Sequence, residues 1–177
     1  MCSARQGERV ESFVALAPRE AKVLILGSMP GAASLAAGRY YAHPRNQFWP
    51  LMGDLFGAGP DLDYPARLAR LAECGIALWD VLRSCERSGS LDAAIRRASC
   101  EANDFPGLFT RCPGITDLLF NGATAAKSFE RLVKPALVDR PLCLHRLPST
   151  SPAHAGMGFE VKKALWREAF VAAGILA

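Results

Sequence analysis

Acidic residues are missing from two long stretches of this chain. None occurs from Ala21 to Gly53, and none from Arg140 to Phe159. The first stretch carries Lys22, Arg39, His43 and Arg45, and the second carries Arg140, His145, Arg146 and His154. Brought together by a fold, the two would make one positive surface suited to a polyanion. Loops rich in Gly, Ser and Pro that merely lack acids would read the same way. The net charge of +4 is by itself only a weak pointer to nucleic acid.

Other absences narrow the function. The six cysteines include no C-x-x-C pair, which argues for separate reduced thiols and against an iron–sulfur cluster or a structural zinc site. No apolar run is long enough to span a bilayer. The start, "MCSARQGERVESF", has no apolar signal core, so a cytoplasmic protein without membrane attachment is expected. No G-x-S-x-G elbow, Walker loop or G-x-G-x-x-G fingerprint occurs. A Ser149–His154–Asp80 triad can be drawn, but its order and spacing match nothing specific.

What is present suits one folded domain over residues 1–177. Half the residues are hydrophobic and 21% are charged, the balance of a chain with a core and not of a disordered one. Four short apolar runs read as buried strands: "KVLILGS" (22–28), "GIALWDV" (75–81), "TDLLFNG" (116–122) and "PLCLHRL" (141–147). Near-continuous hydrophobicity fits parallel strands covered on both faces. Helical patterns lie between and after them: "YPARLARLAECG", "SLDAAIRRAS" with Ser90 as N-cap, "NDFPGLFTRC" with Asn103 or Asp104 as N-cap, "ATAAKSFERLV" and "FEVKKALWREAFVAAG". The expectation is a three-layer α/β domain, a central four-stranded parallel sheet with helices on both faces.

Such sheets bind ligands beyond the carboxyl ends of their strands. The polar signals follow the strands closely: "GSMPGAAS" after the first, Asp80 at the end of the second, "NGAT" after the third and "PSTSPAHAG" after the fourth. The glycines of the first loop let backbone approach a ligand. The hydroxyls of Ser149, Thr150 and Ser151 suit phosphate contacts that position a duplex without reading its sequence. "GRYYAHPRNQFW" (38–49) holds four aromatic rings, of which Tyr40, Tyr41, Phe48 and Trp49 are all able to stack on a base, with Trp49 expected in the core. Asn46 in that segment needs hydrogen-bond partners or a task.

Taken as a set, "GSMPG", "YYAHPRNQFW", "GIALWDVLRSCER", "DLLFNGATA" and "LPSTSPAHA" resemble the uracil-DNA glycosylase superfamily, most of all its hypoxanthine-DNA glycosylase branch; the H-P-x-N-x-F-W pattern is shared with the mismatch-specific uracil/thymine branch. The resemblance runs from Lys22 to the C-terminus. It implies a monofunctional glycosylase of base-excision repair that flips a deaminated nucleotide, chiefly deoxyinosine, out of DNA and hydrolyses its N-glycosidic bond. It implies no metal or organic cofactor, and a monomer acting on duplex or single-stranded DNA. By motif it makes Asn46 and Asn121 catalytic, Asn46 placing water or sugar and Asn121 also reading the base. Gly27, Ser28, Met29, Phe48 and Asp80 would line the base pocket, with Phe48 the stacking ring; Asp80 reads equally as a helix cap. Arg39, Tyr41, His43, Arg45, Ser149, Thr150, Ser151 and His154 would meet DNA. Two departures stand out: Met29 replaces an asparagine of the mismatch branch, and Leu147 replaces a His or Asn of the last motif. Pro152 and Met157 are the apolar candidates for a duplex wedge. A catalytically idle nucleic-acid binder and a small-molecule α/β hydrolase are the competing readings.

Overall fold

The computed structural model describes residues 7–137 and 139–177; Cys2 lies outside them. Four parallel strands, β2 (Val23–Gly27), β3 (Ile76–Asp80), β6 (Asp117–Asn121) and β7 (Cys143–Leu147), form the central sheet in the order β3-β2-β6-β7. Each expected strand is there, trimmed by a residue or two. Register is set by β2, where Leu24 lies between Ala77 of β3 and Leu118 of β6.

The alternation of side chains divides the core in two. Leu24, Leu26, Ala77, Leu118 and Phe120 pack with Phe105, Leu108 and Phe129 of α4 (Phe105–Arg111) and α5 (Ala123–Leu132). Val23, Ile25, Ile76, Leu78 and Leu119 face the other way, onto α2 (Phe48–Phe56), α3 (Tyr64–Glu73) and α6 (Phe159–Ala172). Helices therefore cover both faces, as expected. Capping follows local chemistry: Asp63 accepts from Ala66 N at 2.9 Å to start α3, and Asp104 accepts from Gly107 N at 3.0 Å to start α4. Asn103, the other candidate cap, donates to the Asp80 carbonyl instead, at 2.8 Å.

Two elements depart from the sequence expectation. A second, antiparallel sheet of β1 (Glu8–Glu11), β4 (Leu82–Arg87) and β5 (Glu101–Ala102), in the order β1-β4-β5, grows from the end of β3. The segment "SLDAAIRRAS", expected to be helical, forms two short 3₁₀ turns (Asp92–Ala94 and Arg97–Ser99). Ile95 bridges to Arg87 and Arg96 N donates to the Glu86 carbonyl at 2.9 Å. Pairing to β4 thus overrides a weak helical pattern. A short helix, α1 (Ala32–Ala37), follows the loop after β2.

Candidate active site at the carboxyl ends of the parallel strands

The first strand of the sheet ends on Gly27, and the second on Asp80 beside it. A Cβ at Gly27 would lie 2.5 Å from Asp80 Oδ1 and 3.3 Å from the Tyr41 hydroxyl. Only glycine allows these two side chains to converge there. Asp80 is 3% exposed, and its Oδ2 has no hydrogen-bond partner among the described residues. Burial first, and then the charge of Asp92, push its pKa up to about 8, with Arg87 opposing. Asp80 is therefore mostly protonated at neutral pH. It caps no helix.

Tyr41 adopts φ of 54°, the left-handed region that non-glycine residues rarely occupy. This turn lays its ring on Phe48, centroids 4.0 Å apart and planes 26° apart. Its hydroxyl is buried and makes no hydrogen bond of good geometry among the described residues, with the Asn121 amide its polar neighbour. Burial, then Asp80, raises the pKa of the phenol, and the Asn121 amide opposes this. Phe48 itself is 0% exposed, with Trp49 and Trp166 packed on it in T-shaped contacts. Phe48 thus has no free face to stack on a base; the ring at the surface of this stack is Tyr41. The cause is local, since Phe48 opens α2 and turns inward with Trp49, whose indole donates to the Tyr40 carbonyl at 2.9 Å.

Asn46 stands one residue before the cap of α2. Its Oδ1 accepts from Phe48 N at 2.9 Å, which fixes the amide, while Nδ2 makes no hydrogen bond among the described residues. The side chain lines a cleft of about 330 Å³ with Arg39, Tyr41, His43, Tyr64 and Arg67. Arg39 lies over the Tyr64 ring at 5.6 Å and Arg67 over Trp49 at 5.4 Å. No acid among the described residues lines this cleft. His43 Nδ1 accepts from Arg45 N at 3.1 Å, so that imidazole shapes its own turn.

Asn121 ends β6 and is tied to the last loop. Its Oδ1 accepts from Thr150 N at 2.8 Å and its Nδ2 donates to Thr150 Oγ1 at 2.9 Å. One lone pair and one N–H remain for a ligand. Gly122 follows at φ of 101°, and a Cβ there would meet Ser149 Cβ at 3.0 Å. The fully buried Thr150 passes the connection on, because its carbonyl accepts from Gln47 N at 3.0 Å. Ser149 and Ser151 hydroxyls accept from Ser151 N and Ala153 N, each at 3.2 Å, so both help fold their own loop. His154, Arg39 and Arg45 are exposed.

The remaining candidates separate. Ser28 Oγ donates to Asp92 Oδ1 at 2.7 Å. Met29 packs in a small cluster with Leu82 and Cys85 and is not among the residues lining the cleft. Asp80 Oδ1 and the Tyr41 hydroxyl both flank Gly27, and Asp80 is not among the residues lining the cleft. The two acid-free stretches share only part of a surface: Lys22 sits at the amino end of β2, and His145 pairs with Asp117 at 2.8 Å, near the start of β6.

Sequence reasoning missed Lys162. It is 1% exposed on α6, donating to Gln47 Oε1 at 2.7 Å and to the His154 carbonyl at 3.3 Å. A signal existed: Phe159, Lys162, Trp166, Ala169 and Phe170 share one face at helical spacing. A lysine on that stripe has to be buried or break it. The Arg87–Asp92 connection was also missed, since its role depends on the unexpected second sheet.

The chain as a whole has counterparts among known proteins. Residues 13–172 match the family described as the uracil DNA glycosylase superfamily, and the chain belongs to that family. Among curated proteins, it is 32% identical over 161 residues to a "Hypoxanthine DNA glycosylase" of Methanosarcina barkeri, covering 90% of this chain and 97% of that one. A "Hypoxanthine DNA glycosylase" of Methanosarcina acetivorans is 35% identical over 143 residues, 80% of this chain and 86% of the relative. A candidate uracil DNA glycosylase from Methanosarcina acetivorans, solved in solution by NMR, superposes with a TM-score of 0.73 at 31% identity, covering 92% of this chain and 99% of that one. No helix among the described residues is long and apolar enough to cross a membrane.

Proposed function

We propose that this DNA glycosylase removes hypoxanthine from deoxyinosine, acting as a monomer on duplex DNA, with Asn46 and Asn121 as its central polar groups. The observation that carries the reading is the fixed amide of Asn46 at the edge of an acid-free, arginine-lined cleft beside the Tyr41 ring. Phe48 N holds Oδ1 on one lone pair. The second can accept a proton of the attacking water while Nδ2 donates to the sugar. Water adds to the sugar carbon as the N-glycosidic bond breaks, and the base leaves with the bonding electrons and takes up a proton. A flipped base stacks on Tyr41, which lines the cleft while Phe48 is fully buried. Asn121 offers one donor and one acceptor to the O6 and N1–H edge of hypoxanthine. Uracil presents the same pair at O4 and N3–H, so pocket size must discriminate them. Arg39, Arg45 and the Ser149–His154 loop meet phosphate.

The experiment uses end-labelled duplexes carrying one deoxyinosine, one deoxyuridine or only normal bases, followed by alkali to cut abasic sites. Breaks at deoxyinosine support the reading. Breaks only at deoxyuridine move the substrate to uracil, and tight binding without breaks identifies an idle binder. Asn46→Ala is expected to lower excision by at least about tenfold, and full activity in that variant overturns the mechanism.

A further inference from the structure

A nucleotide whose sugar sits at Asn46 carries its phosphates on that same sugar, so the cleft that holds the one lies within reach of the other. We propose that Arg67, with Arg39 and the Tyr64 hydroxyl, forms a subsite for a phosphodiester group adjoining the flipped nucleotide. The inference rests on the glycosylase reading above and adds two residues of α3 to it.

Tyr64 and Arg67, both on α3, line the cleft together with Asn46 and Arg39. Arg67 is anchored along one edge. Its Nε donates to the Leu62 carbonyl at 2.8 Å and its Nη2 to the Pro60 carbonyl at 3.1 Å, while the guanidinium lies over the Trp49 ring at 5.4 Å. A guanidinium has five N–H donors. The two carbonyls take two of them, and Nη1 makes no hydrogen bond among the described residues. Neither Arg67 nor Arg39 forms a salt bridge among those residues. Tyr64 adds a neutral donor. Its hydroxyl oxygen accepts from Tyr40 N at 3.0 Å, which leaves the proton for a ligand, and Arg39 lies over its ring at 5.6 Å. Burial raises the pKa of this phenol, against the Tyr40 bond and the charges of Arg39 and Arg67, so the proton stays on at neutral pH. The planar arginine fork suits a carboxylate or a phosphate. No acid among the described residues lines the cleft, and the anion that DNA brings to it is the phosphodiester. Arg67 is already ordered by two carbonyls and a ring, so it loses little conformational entropy on binding. A phosphate held there fixes the sugar against Asn46, which makes Arg67 a positioning residue.

The test is a cycle between protein and DNA, read as the affinity of the full chain by fluorescence anisotropy. The duplexes carry a tetrahydrofuran abasic-site analogue, with an uncharged methylphosphonate on its 5′ side, on its 3′ side, at a remote step or nowhere. Wild type is expected to bind about tenfold more weakly when one of the two adjoining phosphates is neutralised, and the side that responds identifies the phosphate. Arg67→Met is expected to bind the unmodified duplex about tenfold more weakly and to lose less than about threefold further on that neutralisation. Both proteins should respond alike to the remote methylphosphonate. Additive losses at both adjoining phosphates, an equal coupling at the remote one, or a wild-type affinity that ignores every methylphosphonate overturns the proposal. Thermal melting checks that Arg67→Met folds; if it does not, Arg39→Met carries the same cycle with the same expectations. The analogue has no base, so the cycle does not depend on which base is excised. If wild type releases no hypoxanthine while the coupling persists, the substrate reading fails alone; if it releases hypoxanthine without the coupling, the subsite fails alone.

Discussion

Lys162 reaches Gln47 across the domain, its ammonium 2.7 Å from Oε1, and no carboxylate ion-pairs with it among the described residues. Burial lowers its pKa from the ordinary lysine value. The second acceptor is the His154 carbonyl. One cation thus joins the residue next to Asn46 to the loop after β7.

Replacing it separates stability from activity. Lys162→Met removes a buried charge, which favours the folded state, and leaves two acceptors unpaired, which does not. The two effects offset, so unfolding free energy is expected to shift by less than about 2 kcal/mol. Excision falls by about tenfold or more because Asn46 and the last loop lose their common support. Chemical denaturation and single-turnover rates on the same variant check this. Activity at the wild-type level sinks the positioning role.

Asp80 gives a pH signature. Its folded pKa of about 8 lies above the usual carboxyl value of 3.8. Between the two values the folded state holds a proton that the unfolded chain has lost. Stability therefore falls as pH rises through that window and levels off above it. Asp80→Asn cannot ionise and lacks this component of the slope. The melting midpoint of Asp80→Asn minus that of wild type should grow from pH 5 to pH 9, as measured by calorimetry. Parallel curves would show that Asp80 ionises freely.

The close approach of Asp80 to Gly27 is open to a double-mutant cycle. Gly27→Ala alone should cost about 1–3 kcal/mol, because the new methyl group meets Asp80 Oδ1. In an Asp80→Ala background most of that cost should disappear. Additive losses, read from denaturant midpoints, would place the strain elsewhere.

Tyr41 and Phe48 can be told apart by truncation. Tyr41→Phe deletes a hydroxyl that makes no hydrogen bond of good geometry among the described residues and keeps the stacked ring. It should excise near the wild-type rate and be no less stable. Tyr41→Ala should lose about 1–3 kcal/mol of base stacking in the affinity for an abasic-site duplex carrying free base, with the fold retained. Equal affinities in the two variants would remove Tyr41 from the base site.

The sheet was legible in the sequence because its strands are covered on both sides and read as unbroken apolar runs. The β1–β4–β5 sheet was not, because "ERVE" and "LRSCER" look like charged surface. Arg87 is nonetheless 2% exposed, held by the Pro30 carbonyl, and no local pattern announces a buried arginine. Within the site, the loops after the strands were legible from glycine and hydroxyl clusters, and Asn46 and Asn121 from motif. Which of Tyr41 and Phe48 meets solvent was not, since that follows from where α2 begins and from a left-handed turn at a tyrosine. Thr150 illustrates the same limit: its hydroxyl suggested phosphate, yet it is fully buried against Asn121.

The contact between Gln47 and Lys162 spans 115 positions of chain. Through Thr150 and Asn121 the same cluster also draws on β6 and the loop after β7. During synthesis, then, the front two-thirds of the molecule emerges with Asn46 unsupported on one side. The support around Asn46 is therefore complete only once α6 has packed on the rest.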